Sequence, residues 1–598
     1  MRELLCLDNF LKSIFAIMFE YANRYSMHYH KCSNFVQPIL ALALLVSFGC
    51  SKSEDSPIIE VSIPQSAKEK PVTSDNITSP AAIDIDNAAD LQKTVEMCKE
   101  NTVIRLNPGV YTLEKPLQIT KRINITGTGQ EANEVIIERA GGNTLVIDSP
   151  TCEIKHVLIR SSNESKENTD WKDRITVRIL QGEANFIGCE FRSDKGYCVY
   201  VTGEKTAPIF HECLFSEGLS GLMFEESSCG TIDDCEIRNL KGAGVGATGN
   251  SLVHVKKCVI YGCSYGILCC DEGKGPGKAV VDDCEIYGMT SSEKAEQIAF
   301  GIGVQGGDVI CTNSKIYHCE MGIGLCRIEN RNSGTFENCD IYENKDKNVH
   351  IVNGSSTFKN CRIYDTLERM EKKEYDGFSP EYGNNISISI LHNSAVVFED
   401  CTLSHHNNIA YIGDETGEPV NYYFKNCKFL NGKELVVTNL NTVGTFDHCE
   451  FAYYSYIGII LLSLHPDTVI KDCAFHHAGT GVLFQESENA EGGVRGTVEN
   501  SEFNNLTETG IIVSRNANAI ISNCNIHHCE SGGLGFAVQS SGTVVGNRIT
   551  DNRRCGIIIG TDKYCMFSKN VLHNNVPRNW GIISDNPQIM RIDNEPNE

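Results

Sequence analysis

Two Asp-Asp pairs, Asp233–Asp234 and Asp282–Asp283, have the composition of a paired-carboxylate centre, one acid and one base across a glycosidic bond. Asn168-Thr-Asp170 offers a third carboxylate in a polar stretch, Ser161–Arg174, that also holds Trp171. A column of tyrosines, Tyr261, Tyr287, Tyr317, Tyr342 and Tyr364, suits stacking on sugar rings, or self-stacking at a turn. Lys372, Lys373 and Tyr375 lie in a charged insertion, Thr366–Asn385, and add cations and a ring of the kind that contacts a glycan. The pairs His476–His477 and His527–His528 carry metal-ligating side chains, with Ser404–His405 in the same place, but no Cys/Asp cluster at ligand spacing accompanies them. Neither a metal nor a cofactor is predicted, save calcium if the protein is a lyase.

These residues must be placed by a repeat. From about residue 186 onward a pattern recurs: apolar, any residue, Asn or Asp, Cys, any residue, Ile or Phe. Its marker falls at Cys189, Cys213, Cys235, Cys258, Cys284, Ser314, Cys339, Cys361, Cys401, Cys427, Cys449, Cys473, Ser501, Cys524, Asn547 and Asn570, mostly 22 to 30 residues apart. A period of that size means stacked supersecondary units. Within each unit, apolar and polar residues alternate over three or four positions, which gives very short strands. A second run in each unit reads like Gly301-Ile-Gly-Val or Gly481-Val-Leu-Phe. The expectation is an all-β, right-handed parallel β-helix of roughly 17 coils, on the order of 80 Å long at the usual strand spacing.

In that arrangement most of the chemistry-bearing residues become ladders. Cys235, Cys258, Cys284, Cys339 and Cys361 should stack as small apolar residues in a buried column rather than pair as disulfides, though disulfides stay open for the remaining cysteines. Asn338 and Asn360, with Asp234 and Asp283 in the same column, should sit at a turn, pass hydrogen bonds from coil to coil and tolerate unusual backbone angles. The Asp-Asp pairs therefore read as turn residues. The 40-residue gap between Cys361 and Cys401 marks the insertion as a loop thrown out from the rod, the kind of segment that walls a groove.

The N-terminus is different. Residues 35–49 form an apolar run of signal-peptide length, preceded by Lys31, and Met27 is an alternative start. Ser47-Phe48-Gly49-Cys50 resembles a bacterial lipoprotein signal, which implies lipidation of Cys50; Ser-Glu-Asp just behind it resembles the surface-export signal of Bacteroidetes-type lipoproteins. Residues 1–50 read as signal, 51–85 as a polar tether, 86–590 as β-helix and 591–598 as a tail. The expected location is the outer membrane or surface of a bacterium, with the N-terminal lipid in the membrane. Residues 87–102 suit an amphipathic helix with Leu91, Val95 and Cys98 near one face, placed to cap the N-terminal end of the core.

That helix, followed by Val103-Ile-Arg-Leu, Asn-Pro-Gly-Val-Tyr, Leu117-Gln-Ile and Ile123-Asn-Ile-Thr-Gly, resembles the start of the pectin-lyase-like superfamily. The later coils resemble the parallel β-helix repeats of carbohydrate-binding and sugar-hydrolase modules, among others. The resemblance implies a fold and leaves the chemistry open. The polygalacturonase motifs Gly-His-Gly and Arg-x-Lys are absent, and His465-Pro-Asp does not match the Asp-Pro-His-Asp of mannuronan epimerases. A net charge of −24 disfavours nucleic acid as a partner. Two readings follow: an anchored rod that binds or processes polysaccharide, as a lyase or glycoside hydrolase if it is an enzyme, and a non-catalytic structural or protein-interaction rod. The oligomeric state is not legible.

Overall fold

Each turn of the chain is built from three short strands, because apolar side chains alternate with polar ones and then the chain bends. In one turn these are Cys229–Asp233, Glu236–Leu240 and Ala243–Ala247; in the next, Leu252–Lys256, Val259–Tyr261 and Tyr265–Cys270. Every strand pairs in parallel with its counterpart one turn on, so Ile232 lies beside Val255 and Val255 beside Val281. The first strands of all turns make a first sheet, the second strands a second and the third strands a third. In the computed structural model the described residues are 82–162, 174–291, 298–326, 332–365, 386–413, 418–439, 441–462, 467–486 and 493–595.

The result is an all-β right-handed parallel solenoid of about 20 turns, 54 strands in all among the described residues. At about 4.8 Å per turn it is roughly 95 Å long. The expected 17 is an undercount for a clear reason. The opening strands Ala82–Ile85, Thr102–Leu106 and Ile123–Gly127 precede the first marker cysteine, and the closing strand Gln588–Ile592 follows the last marker counted.

The corner between the first and second sheets is a single left-handed residue. Asp234, Lys257, Asp283, Asn338, Asn360 and His448 all have φ between 50 and 55°. Asn tolerates that region better than most residues, and its side chain passes a bond along the rod: Asn360 Nδ2 donates to Asn338 Oδ1 at 2.6 Å, and Asn338 Nδ2 to Asn313 Oδ1 at 3.3 Å. A second left-handed corner closes the second sheet at Asn239, His318, Glu343, His405, His477 and His528. The second member of each His pair is thus a turn residue.

The marker that follows the first corner is buried, and every described cysteine is a free thiol. Its role is not merely apolar. Cys473 Sγ donates toward Phe446 O at 3.5 Å and Lys471 O at 3.2 Å, and accepts the amide of Cys449 at 3.4 Å. Ser314 and Ser501 accept the same amide from the preceding turn at 3.0 and 3.1 Å, and Asn547 does so at 2.8 Å. Cys, Ser and Asn interchange at this position because each accepts one bond and donates others.

The core runs the length of the rod and is aromatic in its middle. Phe336, Phe358, Phe398, Phe424 and Phe446 stack at centroid spacings of 4.7 to 5.2 Å with rings within 12° of parallel. The helix expected near the start spans Ala88–Met97, capped by Asn87, with Leu91 and Val95 in the core. At the far end Arg591 takes the inward position that Phe567 holds one turn earlier, and its guanidinium lies 4.2 Å from the Trp580 ring centroid. No helix among the described residues is long and apolar enough to cross a membrane.

Candidate functional site

The outer face of the third sheet differs from the other two. Its outward positions run Arg178, Tyr200, Met223, Gly246, Leu268, Gly303, Gly324, His350 and Ser389, one per turn. In sequence, 163–173, 292–297 and 366–385 precede its strands, and 327–331, 414–417, 463–466 and 487–492 follow them. All of these lie outside the described residues.

Glycines shape this face. The first glycine of each Gly-x-Gly run turns toward the next coil; a β-carbon at Gly301 would sit 2.7 Å from Gly322 O and 2.6 Å from Ile316 Cγ2. The second glycine makes room for rings. Tyr265 leans over Gly303, where an added β-carbon would be 3.1 Å from Cδ1, and a β-carbon at Gly324 would collide with the Phe300 ring. The two rings face each other at 5.9 Å and 22°.

Toward the N-terminal end the face opens into a cleft of about 540 Å³ lined by Arg178, Tyr200, Thr202, Glu225, Glu226 and Lys274. Volumes of this order hold small ligands. Glu225 ends the strand Ser220–Glu225 and is buried; Lys274 reaches it at 3.1 Å from the loop after the strand Tyr265–Cys270, two turns on. Glu226 stands on a left-handed backbone, φ 54°, with Ser227 left-handed beside it, and its carboxylate accepts Thr202 Oγ1 at 2.5 Å. Burial, then the hydrogen bond to Glu225 and the charges of Glu225 and Glu226, keep the Tyr200 hydroxyl protonated far above the ordinary phenol range. The hydrogen bond to Glu225 and that carboxylate's charge raise the Lys274 ammonium above its usual value. Arg178 has no ion pair or hydrogen bond among the described residues, and its Nε is fully buried without a partner.

Further along, Lys347, His350 and Ser389 form a second polar group on the same face. Burial, with the nearby charges of Lys347 and His392, drops the His350 imidazole to about 4, so it is neutral at pH 7. Its Nδ1 is buried with no partner.

The residues singled out in the sequence lie elsewhere. Tyr261, Tyr287, Tyr317, Tyr342 and Tyr364 stand on the outer face of the second sheet, stacked at 4.9 to 5.1 Å and within 13° of parallel. Their ring faces are turned to one another. Tyr261 and Tyr317 donate their hydroxyls to Glu236 and Glu285, each at 2.7 Å. The stack therefore presents edges and carboxylate-bound hydroxyls outward. Asp282 accepts Thr312 Oγ1 at 2.7 Å and Asn313 Nδ2 at 2.8 Å, and Asp234 and Asp283 are corner residues, so the Asp pairs are dispersed into ladders. His476 and His527 each meet a glutamate one turn back, Glu450 and Glu502, at 3.2 Å. Cys50, Asp170, Trp171, Lys372, Lys373 and Tyr375 lie outside the described residues.

Among the described residues one group, Asp447, His448 and Asp472, has acid and imidazole atoms close enough to share an ion. It does not fit calcium. Asp447 Oδ1 is met by His448 at 2.6 Å, and Oδ2 by Tyr423 at 2.8 Å and Lys471 at 3.0 Å, so an ammonium already fills the cation's place. Burial alone would raise this carboxyl, but the bonds from His448, Tyr423 and Lys471 outweigh it and hold it near 2. Because the folded value is depressed below the ordinary one of about 3.9, its contribution to stability is full above that value and is lost as the pH falls through about 2. Asp447→Asn is expected to melt below the wild type at pH 6 and with it at pH 2; a gap that stays constant across that range would refute the assignment.

Pattern reading missed Arg178, Tyr200, Glu225 and Glu226 because no motif encloses them. The available signal was positional: Glu225-Glu226 closes the run Gly221-Leu-Met-Phe, at the exit of a third-sheet strand.

Fold and face together define a right-handed parallel β-helix with a polar cleft on one sheet. The chain belongs to the family described as the right handed beta helix region, which it matches over residues 122–267, 176–292 and 458–587, just over half its length. No curated protein sequence matches it. Among solved structures it is similar to the N-terminal fragment of gene product 12 of bacteriophage Phi29, at 11% identity over 85% of this chain and 90% of that one, TM-score 0.40. It is similar to the Dettilon tailspike protein at 12% identity over 60% of this chain, TM-score 0.34, and spans 61% of the tailspike's length. Pectate lyase Pel9A aligns at 12% identity over 60% of this chain and 73% of the lyase, TM-score 0.24. These likenesses concern the fold alone.

Proposed function

We propose that this chain is a polysaccharide-binding β-helix that takes its glycan along the outer face of the third sheet, with the cleft around Tyr200 as the main subsite. The observation that carries this reading is that cleft. It joins a protonated phenol, two carboxylates, an ammonium and a guanidinium in about 540 Å³, and the rings of Tyr265 and Phe300 stand on the same sheet further along the rod. Sugars are recognised by that mixture of hydroxyl-bonding groups and aromatic surface. Glu225 is engaged by Lys274, and Glu226 by Thr202, so the geometry supports binding and assigns no acid–base pair. The sequence of residues 35–50 supports placing the protein at a bacterial outer membrane or cell surface, with a lipid on Cys50 as its anchor.

The test uses the full chain against a panel of neutral and uronate polysaccharides, following retention on insoluble glycan, new reducing ends and unsaturated product. Retention on at least one glycan is expected. Tyr200→Ala should weaken it by about tenfold, while Tyr317→Ala should leave it unchanged. Failure of every glycan to retain the protein would end this reading in favour of a structural or protein-binding rod. In the cell, Cys50→Ser is expected to move the protein from the membrane to the soluble fraction; an unchanged membrane fraction would remove the lipid anchor.

A further inference from the structure

Arg178 is the cation of the cleft that forms no ion pair or hydrogen bond among the described residues. Lys274 is paired with Glu225 at 3.1 Å, Glu225 also meets Tyr200, and Glu226 is held by Thr202. The guanidinium stands on the strand Ile175–Ile187, beside Tyr200 one turn on, half-buried in the cleft wall with its Nε–H wholly enclosed and unbonded. A buried donor without an acceptor costs free energy, more so on a charged group, and such a group in a cleft wall calls for a partner supplied by a ligand. Several other arginines on outward strand positions are paired by the protein itself. Arg105 pairs with Asp84, Arg160 with Glu138 and Arg238 with Glu236, each on its own or an adjacent turn.

Resting on the polysaccharide reading, we infer that Arg178 is the specificity residue of the cleft and that it binds a carboxylate carried by the glycan, so that the preferred ligand is a polymer containing uronic acid. A guanidinium offers two parallel N–H groups in a plane, and a carboxylate offers two oxygens at matching separation. Glu226 and Tyr200 then serve the neighbouring sugar hydroxyls, the first as acceptor and the second through its hydroxyl. The net charge of −24 makes the locality of this cation matter, because the rest of the surface repels an acidic polymer and only a fixed, partly desolvated site can hold one.

The experiment is a matched set of binding isotherms with the full chain. The probes are an oligogalacturonate, its full methyl ester, a sulfated glucan and a neutral glucan, each against wild type, Arg178→Ala and Arg178→Lys, with melting temperature as the folding control. The wild type is expected to bind the free acid at least tenfold more tightly than the ester. Arg178→Ala should erase that difference without lowering the melting temperature. Arg178→Lys, which keeps the charge and loses the planar fork, should recover only part of it. Equal affinity for acid and ester would overturn the inference and leave the polysaccharide reading standing. So would an acid preference that survives Arg178→Ala. A sulfated glucan bound more tightly than the uronate through Arg178 would replace the carboxylate with a sulfate ester. Binding to none of the probes would overturn the inference and the reading beneath it together.

Discussion

Phe398→Ala is expected to lower the stability of the rod by about 3–5 kcal/mol, the range for truncating a fully buried aromatic. Phe398 sits in the middle of five stacked rings, 4.7 Å from both Phe358 and Phe424, and is fully buried. Removing it takes away its own transfer free energy and the contact surface of two neighbours, and a parallel sheet fixed by hydrogen bonds on three sides has little freedom to close the gap. Phe398→Leu fills most of that volume and should cost roughly 1 kcal/mol. In a solenoid each turn touches only its neighbours, so the loss should be local. Hydrogen exchange should accelerate in Ala395–Glu399, Gly354–Lys359 and Val420–Lys425, and remain slow in Leu252–Lys256. A loss under 1 kcal/mol, or an even acceleration along the whole rod, would show that the ring stack does not organise the core.

Asn570→Leu should cost about 2–5 kcal/mol, because it strips two buried donors of their acceptor. Asn570 Oδ1 accepts both the amide and the Nδ2 of Asn547 at 3.0 Å, and its own Nδ2 donates to Val544 O and to Asn594 Oδ1 at 2.9 Å. The side chain is fully buried, so water cannot take over these bonds. The companion substitution is Cys473→Ser. It keeps an acceptor for the Cys449 amide and a donor for Lys471 O, as Ser501 does one turn later for the Cys473 amide and Glu499 O, and should change stability by less than about 1 kcal/mol. Denaturant unfolding of the two variants decides the matter. If Asn570→Leu is neutral, or Cys473→Ser is as damaging, the marker column is held by shape and not by hydrogen bonding.

These two columns also show what a sequence of this kind discloses. The marker spacing revealed the coil, and the interchange of Cys with Ser314, Ser501, Asn547 and Asn570 was visible as a pattern. Its cause was not, because the amide that the marker accepts belongs to the turn before, some 22 to 30 residues away. The corner residues were legible for the same reason that glycine is in a tight turn: only a few side chains tolerate φ near 53°, and Asn338 and Asn360 are of that kind. The cleft was hidden. Arg178, Tyr200 and Glu225 are each an ordinary outward residue of a short strand, and they become a site only because parallel register sets them on one face one turn apart. The tyrosine column stood out in the sequence because identical residues recur at one position, which is also why its rings stack on one another.

The central claim, that glycan is held on the outer face of the third sheet, is tested most directly by hydrogen–deuterium exchange of the full chain with and without a retained polysaccharide. Protection is predicted in the third-sheet strands Tyr197–Thr202, Ser220–Glu225 and Tyr265–Cys270 and in the Lys274 loop, with no change in the second-sheet strands Glu285–Tyr287, Lys315–Tyr317 and Asp340–Tyr342. Protection confined to those tyrosine strands would contradict the account and move the binding surface to the stacked rings.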